Sequence, residues 1–270
     1  MRMGSRLLLA AAFAAFTAPA FTSPLFTSPA FAAVKSRVVD YSQNGTALQG
    51  YLAWDDAAKG KRPGVLVVHE WWGHNAHARR AADRLARAGY VAFALDMFGK
   101  GKLASHPAEA QAFVAESMKD ASTLPGRFEA ALDILKQDPH VDTARIGAIG
   151  YCFGGGVVLA MARSGADLKA VGTFHGSLAT DHPAEAGKLK AKLLVQTGDA
   201  DPMVNATAVA AFEKEMTAAG ASYRVIHYPG AKHAFTNPDA DKFGVPGLAY
   251  NADADRKSWA ELLKFFKREL

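Results

Sequence analysis

From residue 64 onward the apolar positions switch repeatedly between two periods. Gly64-Val65-Leu66-Val67-Val68-His69 is a continuous apolar run, the pattern of a strand covered on both faces. Ala, Arg and Leu then recur at helical spacing over 76–88, and the pattern stops at Gly89. Residues 90–95 form a second apolar strand pattern. Residues 107–118 and 127–136 read as helices, 145–149 as a third strand, and a Gly-rich turn then leads into a helix through Ala162. Segments 169–174, 192–197 and 223–228 are further strands, and 205–219 and 253–269 further helices. On the last helix Trp259, Leu262, Leu263 and Phe266 share a face, as core packing requires. Upstream, 38–41 and 48–53 alternate around Asn44-Gly45, a hairpin signal. The alternation predicts one doubly wound, mostly parallel sheet with helices on both faces and an N-terminal antiparallel hairpin at its edge.

Residues 1–32 follow another pattern. Arg2 and Arg6 precede an uncharged apolar run from Leu7 to Phe16. Pro19, Pro24 and Pro29 follow, and the segment ends in Ala30-Phe31-Ala32. This is the layout of a cleaved secretory signal peptide over 1–32, leaving a single domain over 33–270 that is periplasmic or secreted. An uncleaved anchor is the alternative, but three prolines suit a span of about 20 predominantly apolar residues poorly. No stable membrane association is expected after cleavage.

Composition narrows the function classes. With 50% hydrophobic and 21% charged residues in 270, the chain has a globular balance, which excludes a disordered or polytopic membrane protein. The net charge of +5 falls to +3 without the two leader arginines, and no Lys/Arg run exceeds two, so no nucleic-acid partner is expected. Cys152 is the only cysteine, which excludes an internal disulfide and a Cys-rich metal site. His74 and His77 lack a third ligand nearby, and no dinucleotide or phosphate-binding glycine motif follows the early strands, so neither metal nor cofactor is expected. The sequence carries no signal of oligomeric state.

The chemistry concentrates in Gly150-Tyr151-Cys152-Phe153-Gly154, between a strand and a helix. This is a nucleophile elbow with Cys in place of the usual Ser. The turn strains the nucleophile's backbone, and residues two before and two after it pass too closely for a Cβ. It sets the sulfur at a helix N-terminus, which favours the thiolate, and aims the Phe153 amide at a developing oxyanion. The alternative is a buried structural cysteine.

An elbow nucleophile needs an acid and then a histidine later in the chain. Gly198-Asp199-Ala200-Asp201-Pro202 follows one strand and Gly230-Ala231-Lys232-His233-Ala234-Phe235 the next, both at carboxyl ends. His233 is the candidate base. Asp201 is favoured over Asp199 as its orienter because it sits deeper in its loop. His69-Glu70-Trp71-Trp72-Gly73 follows the first apolar strand, where a second oxyanion amide, that of Trp71, is expected. Glu70 would oppose an oxyanion there, unless it hydrogen-bonds the thiol. Trp72, Phe98, Tyr151, His175 and Phe235 are candidates for lining the pocket.

These motifs, together with Asp96-Met97-Phe98-Gly99, resemble those of the dienelactone hydrolase family over about 38–268. The resemblance implies the α/β-hydrolase fold and a Cys152–His233–Asp201 triad. It implies that Glu70 holds the resting thiol until substrate binding frees it. It further implies hydrolysis of dienelactone, an enol lactone, as in a carboxymethylenebutenolidase, by an acyl-enzyme route. The chain departs from the family in one respect. Characterised members hold the substrate carboxylate with arginines, one shortly after the histidine, whereas Thr236 and Asn237 stand here. Lys232 and Arg127 are the candidate substitutes. The expected partner is therefore a small-molecule ester or lactone, hydrolysed through a cysteine nucleophile and a thioester. Two other readings are a redox-active single thiol and a non-catalytic binding protein of the same fold.

Overall fold

The structure is a computed structural model and describes Met1 and residues 33–270. The expected signal peptide over 1–32 lies outside the described residues, Met1 apart. Eight strands form one sheet: β1 (Val34–Gln43), β2 (Thr46–Asp55), β3 (Arg62–Val68), β4 (Val91–Leu95), β5 (Val141–Tyr151), β6 (Ala170–Phe174), β7 (Lys192–Gly198) and β8 (Tyr223–Tyr228). Their order is β1-β2-β4-β3-β5-β6-β7-β8. β1 and β2 are the antiparallel hairpin, turning at Asn44-Gly45 with positive φ at both, and β2 joins β4 antiparallel. Every other pairing is parallel.

Side-chain alternation sorts the strands' apolar runs onto two faces. Val65 and Val67 of β3 pack with Ala92 and Ala94 of β4 beneath α1 (Ala76–Arg87) and α6 (Ala252–Glu269). Leu66, Val68, Phe93 and Leu95 point the other way, toward α3 (Thr123–Gln137), α4 (Phe153–Arg163) and α5 (Ala206–Ala218). α2 (Pro107–Met118) packs beside α3. The elements start and stop where side chains can cap them: Asn75, Asn205 and Asn251 each accept a first-turn amide at a helix N-terminus.

The structure extends several expected elements, among them the hairpin strands β1 and β2. β5 begins at Val141 because Val141 and Asp142 pair with Arg62 and Pro63, ahead of an irregularity at 143–145 whose partly solvated residues carry no apolar signal. α3 begins at Thr123 because Pro125 falls in its first turn, where no intrahelical amide is lost. The sheet's strand order reverses around β3 and β5, so the loops at their carboxyl ends open onto a common crevice. Among the described residues no helix is long and apolar enough to cross a membrane.

Candidate active site

Cys152 sits between β5 and α4 with φ 52 and ψ −117. A non-glycine residue there is strained, and the surrounding glycines allow it. A Cβ on Gly150 would lie 2.1 Å from the Gly154 carbonyl oxygen, and one on Gly154 would lie 2.4 Å from that of Val68. The elbow is thus pressed against the end of β3, where the loop carrying Glu70 and Trp71 begins. The Cys152 amide is tied to the Phe174 carbonyl at 3.1 Å, while the side chain is only half-buried. α4 starts at Phe153, so the Phe153 amide is a first-turn donor without an intrahelical acceptor. Trp71 follows Glu70 in a turn closed by the Gly73 amide on the Glu70 carbonyl at 3.2 Å, a position whose own amide the turn does not use.

His233 and Asp201 come together from the loops after β8 and β7. His233 Nδ1 is 2.8 Å from Asp201 Oδ2, and both side chains are buried. Asp201 Oδ1 accepts the amides of Met203 and Val204 at 2.8 and 3.1 Å, which locks the carboxylate. With the carboxylate on Nδ1, the other nitrogen is left for the site, and His233 Nε2 is buried without a well-aligned hydrogen-bond partner. Burial works against a charge on this ring, but the Cys152 sulfur and Asp201 outweigh it and raise its pKa to about 10. Asp199, the other candidate, instead pairs with His227 at the surface at 2.9 Å.

Glu70 is buried, and its Oε2 accepts the Asn237 Nδ2 amide at 2.6 Å. Asn237 Oδ1 is already engaged by the Asp239 amide at 3.0 Å, which fixes the direction of that bond. Among the described residues Glu70 Oε1 has no hydrogen-bond partner. The preceding His69 ties two strand-end loops together. Its Nε2 accepts the Met97 amide at 3.0 Å, and its Nδ1 donates to the Glu70 carbonyl at 2.5 Å. Burial lowers its pKa, partly offset by Asp96, so it stays neutral as those bonds require.

Among the described residues four non-glycines have positive φ, and Cys152, His175 and Ala234 are three of them. His175 lies wholly inside, with Nε2 2.8 Å from Thr236 Oγ1 and its ring 5.1 Å from that of His233. Burial first, then the neighbouring His233 and His77, hold its pKa well below the usual histidine range.

The five residues expected to line a pocket are packed beneath the site, although Tyr151 also borders a cavity of about 270 Å³. Trp72 stacks on Phe243 at 3.8 Å, and Tyr151 on Phe174 at 4.8 Å. Phe98 sits 4.8 Å from the His69 ring and 5.3 Å from that of Phe153. Phe235 packs on His175 at 5.2 Å. All five are 2% exposed or less, because their rings fill the layer between the sheet's carboxyl end and the loops. Neither candidate for a carboxylate clamp is free in the site: Lys232 is exposed, and the Arg127 guanidinium donates to the Met97 carbonyl. The open concavity of about 710 Å³ between β8 and α6 is bordered by Arg224, His227, Lys257 and Lys264 and contains none of these groups. No group of three or more His, Cys, Asp or Glu side chains is placed to hold a metal ion among the described residues.

Sequence reasoning did not assign Asn237, Thr236 or His77 to the site. Asn237 lies four residues after His233, and His77, in the first turn of α1, seven after Glu70, so nearness in the chain is the available signal.

Comparison with known proteins adds the following. The sequence profile of the dienelactone hydrolase family matches residues 48–270. A solved structure titled as a dienelactone hydrolase-like promiscuous phosphotriesterase, from metagenomic libraries, is 37% identical with a TM-score of 0.83, covering 87% of this chain and 98% of its own. A Bradyrhizobium sp. relative named "Probable 2-oxo-3-(5-oxofuran-2-ylidene)propanoate lactonase" is 31% identical over 242 residues, covering 86% of this chain and 94% of its own. Protein usf of Aquifex pyrophilus is 29% identical over 239 residues, covering 87% and 99%.

Proposed function

Since the chain belongs to the dienelactone hydrolase family and is an ester or lactone hydrolase, we propose that it works through Cys152 as nucleophile and a thioester acyl-enzyme. The observation that carries this reading is the pairing of a strained elbow cysteine with a histidine whose pKa is raised to about 10 and whose far nitrogen is fixed by Asp201. Beside an ionised sulfur such a histidine keeps the proton it has taken, which stabilises the thiolate, the form that attacks carbonyl carbon.

At rest the thiol hydrogen is held by Glu70 through its unpartnered Oε1. Substrate displaces that contact, and the proton passes to His233 Nε2. The thiolate attacks the acyl carbon, and the carbonyl electron pair moves to an oxygen held by the amides of Trp71 and Phe153. Collapse forms the thioester and expels the alcohol oxygen, which takes the proton from His233. His233, now neutral, removes a proton from water as that water attacks the thioester. Expulsion of the thiolate releases the acid, the extra proton on His233 returns to the sulfur, and the thiol goes back to Glu70.

The test is turnover of p-nitrophenyl acetate and of dienelactone by wild type and Cys152→Ala. Hydrolysis by wild type alone supports the nucleophile. Equal turnover by both sinks it. We also propose that 1–32 is removed on export, so that N-terminal sequencing of the exported protein begins near Ala33; an intact leader on that protein overturns this.

A further inference from the structure

Glu70 is held from two sides, by Asn237 and by a histidine on α1. His77 Nδ1 lies 3.5 Å from Glu70 Oε2, and the imidazole is buried. Its other nitrogen, Nε2, lies 3.2 Å from the Thr236 carbonyl. A carbonyl only accepts, so Nε2 carries a hydrogen. In a neutral ring Nδ1 would then present a lone pair to the carboxylate. The arrangement is satisfied when a proton stands between Nδ1 and Oε2.

We propose that His77 is a positioning residue for Glu70: the hydrogen between them holds the carboxylate turned, with Oε2 spent on Asn237 and His77 and Oε1 left for the Cys152 thiol. This rests on Glu70 serving the thiol, as set out above.

The surroundings support the assignment. The Tyr151 ring packs on His77 at 4.7 Å, and burial raises the pKa of its phenol, which therefore stays neutral. His175, facing from the end of β6, is held neutral by burial. On its own helix, Arg80 pairs with Asp239 at 2.9 Å and Arg84 with Asp255 of α6 at 2.9 Å. Glu70 is then the anion left facing His77. On its outer side His77 borders a cavity of about 270 Å³, shared with Tyr151, Thr236, Arg84 and Asp255.

The experiment is kcat/KM for p-nitrophenyl acetate from pH 5 to 10 in wild type, His77→Phe, His77→Gln, Glu70→Gln and the Glu70→Gln/His77→Phe double variant. Circular dichroism of each variant checks folding. His77→Phe keeps a ring against Tyr151 and removes both nitrogens. Without its proton partner the buried carboxylate takes a proton from solvent and no longer accepts one from the thiol. The expected result is an acid limb displaced upward by about one pH unit, so that kcat/KM falls by up to about tenfold at the acid end of the range and is recovered by pH 9. His77→Gln, with one donor remaining, falls between, and it carries the test if the Phe variant does not fold. In the Glu70→Gln background the second change should alter kcat/KM less than about twofold. A loss equal at every pH, an unchanged profile, or additive losses in the double variant overturn the proposal. If Glu70→Gln itself leaves activity intact while Cys152→Ala abolishes it, the thiol-gating role of Glu70 has failed, and this inference falls with it.

Discussion

Replacing Asp201 with Asn tests how the histidine is oriented while changing almost no volume. Asp201 Oδ1 accepts the Met203 and Val204 amides, and Oδ2 faces His233 Nδ1 at 2.8 Å. An asparagine keeps the first pair only by turning its oxygen to those amides. Its NH₂ group then points at Nδ1, which must become an acceptor. The ring hydrogen is forced onto Nε2, toward Cys152, and the ring can no longer take the thiol proton. Charge is lost as well, since Asp201 is one of the groups that raise the His233 pKa to about 10. A wrong-tautomer histidine of this kind lowers kcat by about 10³–10⁴. At 1.36 kcal/mol per decade this is about 4–5.5 kcal/mol of transition-state stabilisation. The assay is kcat for p-nitrophenyl acetate across pH 5–10, with unfolding followed in urea to show that the variant is native. A folded Asp201→Asn enzyme within tenfold of wild type at neutral pH would refute the reasoning, because His233 would then not depend on that carboxylate.

Three further outcomes follow from the geometry. Gly154→Ala drives a Cβ to 2.4 and 2.5 Å from the Val68 and His69 carbonyl oxygens, backbone against backbone, and should cost at least about 3 kcal/mol in urea unfolding. The His233 pKa is raised above its ordinary value of 6.5, so the stability its charge contributes is complete below about pH 6.5 and is lost as pH rises through about 10. Thermal melts should show wild type losing Tm over that window, with a flatter curve for Cys152→Ala, in which the sulfur that helps raise the pKa is absent. Arg163, almost wholly buried, grips both Glu215 oxygens at 2.8 and 2.9 Å and the Leu178 carbonyl at 2.9 Å. Arg163→Ala should destabilise the fold by about 3–5 kcal/mol in urea with little change in kcat.

The parts of this molecule legible in the sequence are those that physics writes locally. The unbroken apolar run of β3 declares a strand covered on both faces, and Asn44-Gly45 declares its hairpin turn, because each pattern follows from what that segment alone must satisfy. The elbow is legible for the same reason: Gly150 and Gly154 are required within four residues of each other by one sharp turn. Chain order narrowed the acid and base to loops after β7 and β8, and the bonding then separates Asp201 from Asp199. What stayed hidden depends on distant segments meeting. Nothing local to Asn237 says that its amide will reach Glu70, 167 residues away. His77 reads as an ordinary first-turn residue until Thr236, 159 residues on, is seen at its Nε2. The aromatic side chains expected around a pocket lie at a depth set by three-dimensional packing, which no periodicity encodes.

The central claim is that Cys152 carries the acyl group, and trapping that group tests it most directly. Wild-type enzyme mixed with p-nitrophenyl acetate and quenched in acid within milliseconds should gain one acetyl mass, mapped to the peptide bearing Cys152 and removed by hydroxylamine. Cys152→Ala should gain none. Wild type that hydrolyses the ester with no label on Cys152, while Cys152→Ala hydrolyses it equally fast, would contradict the account.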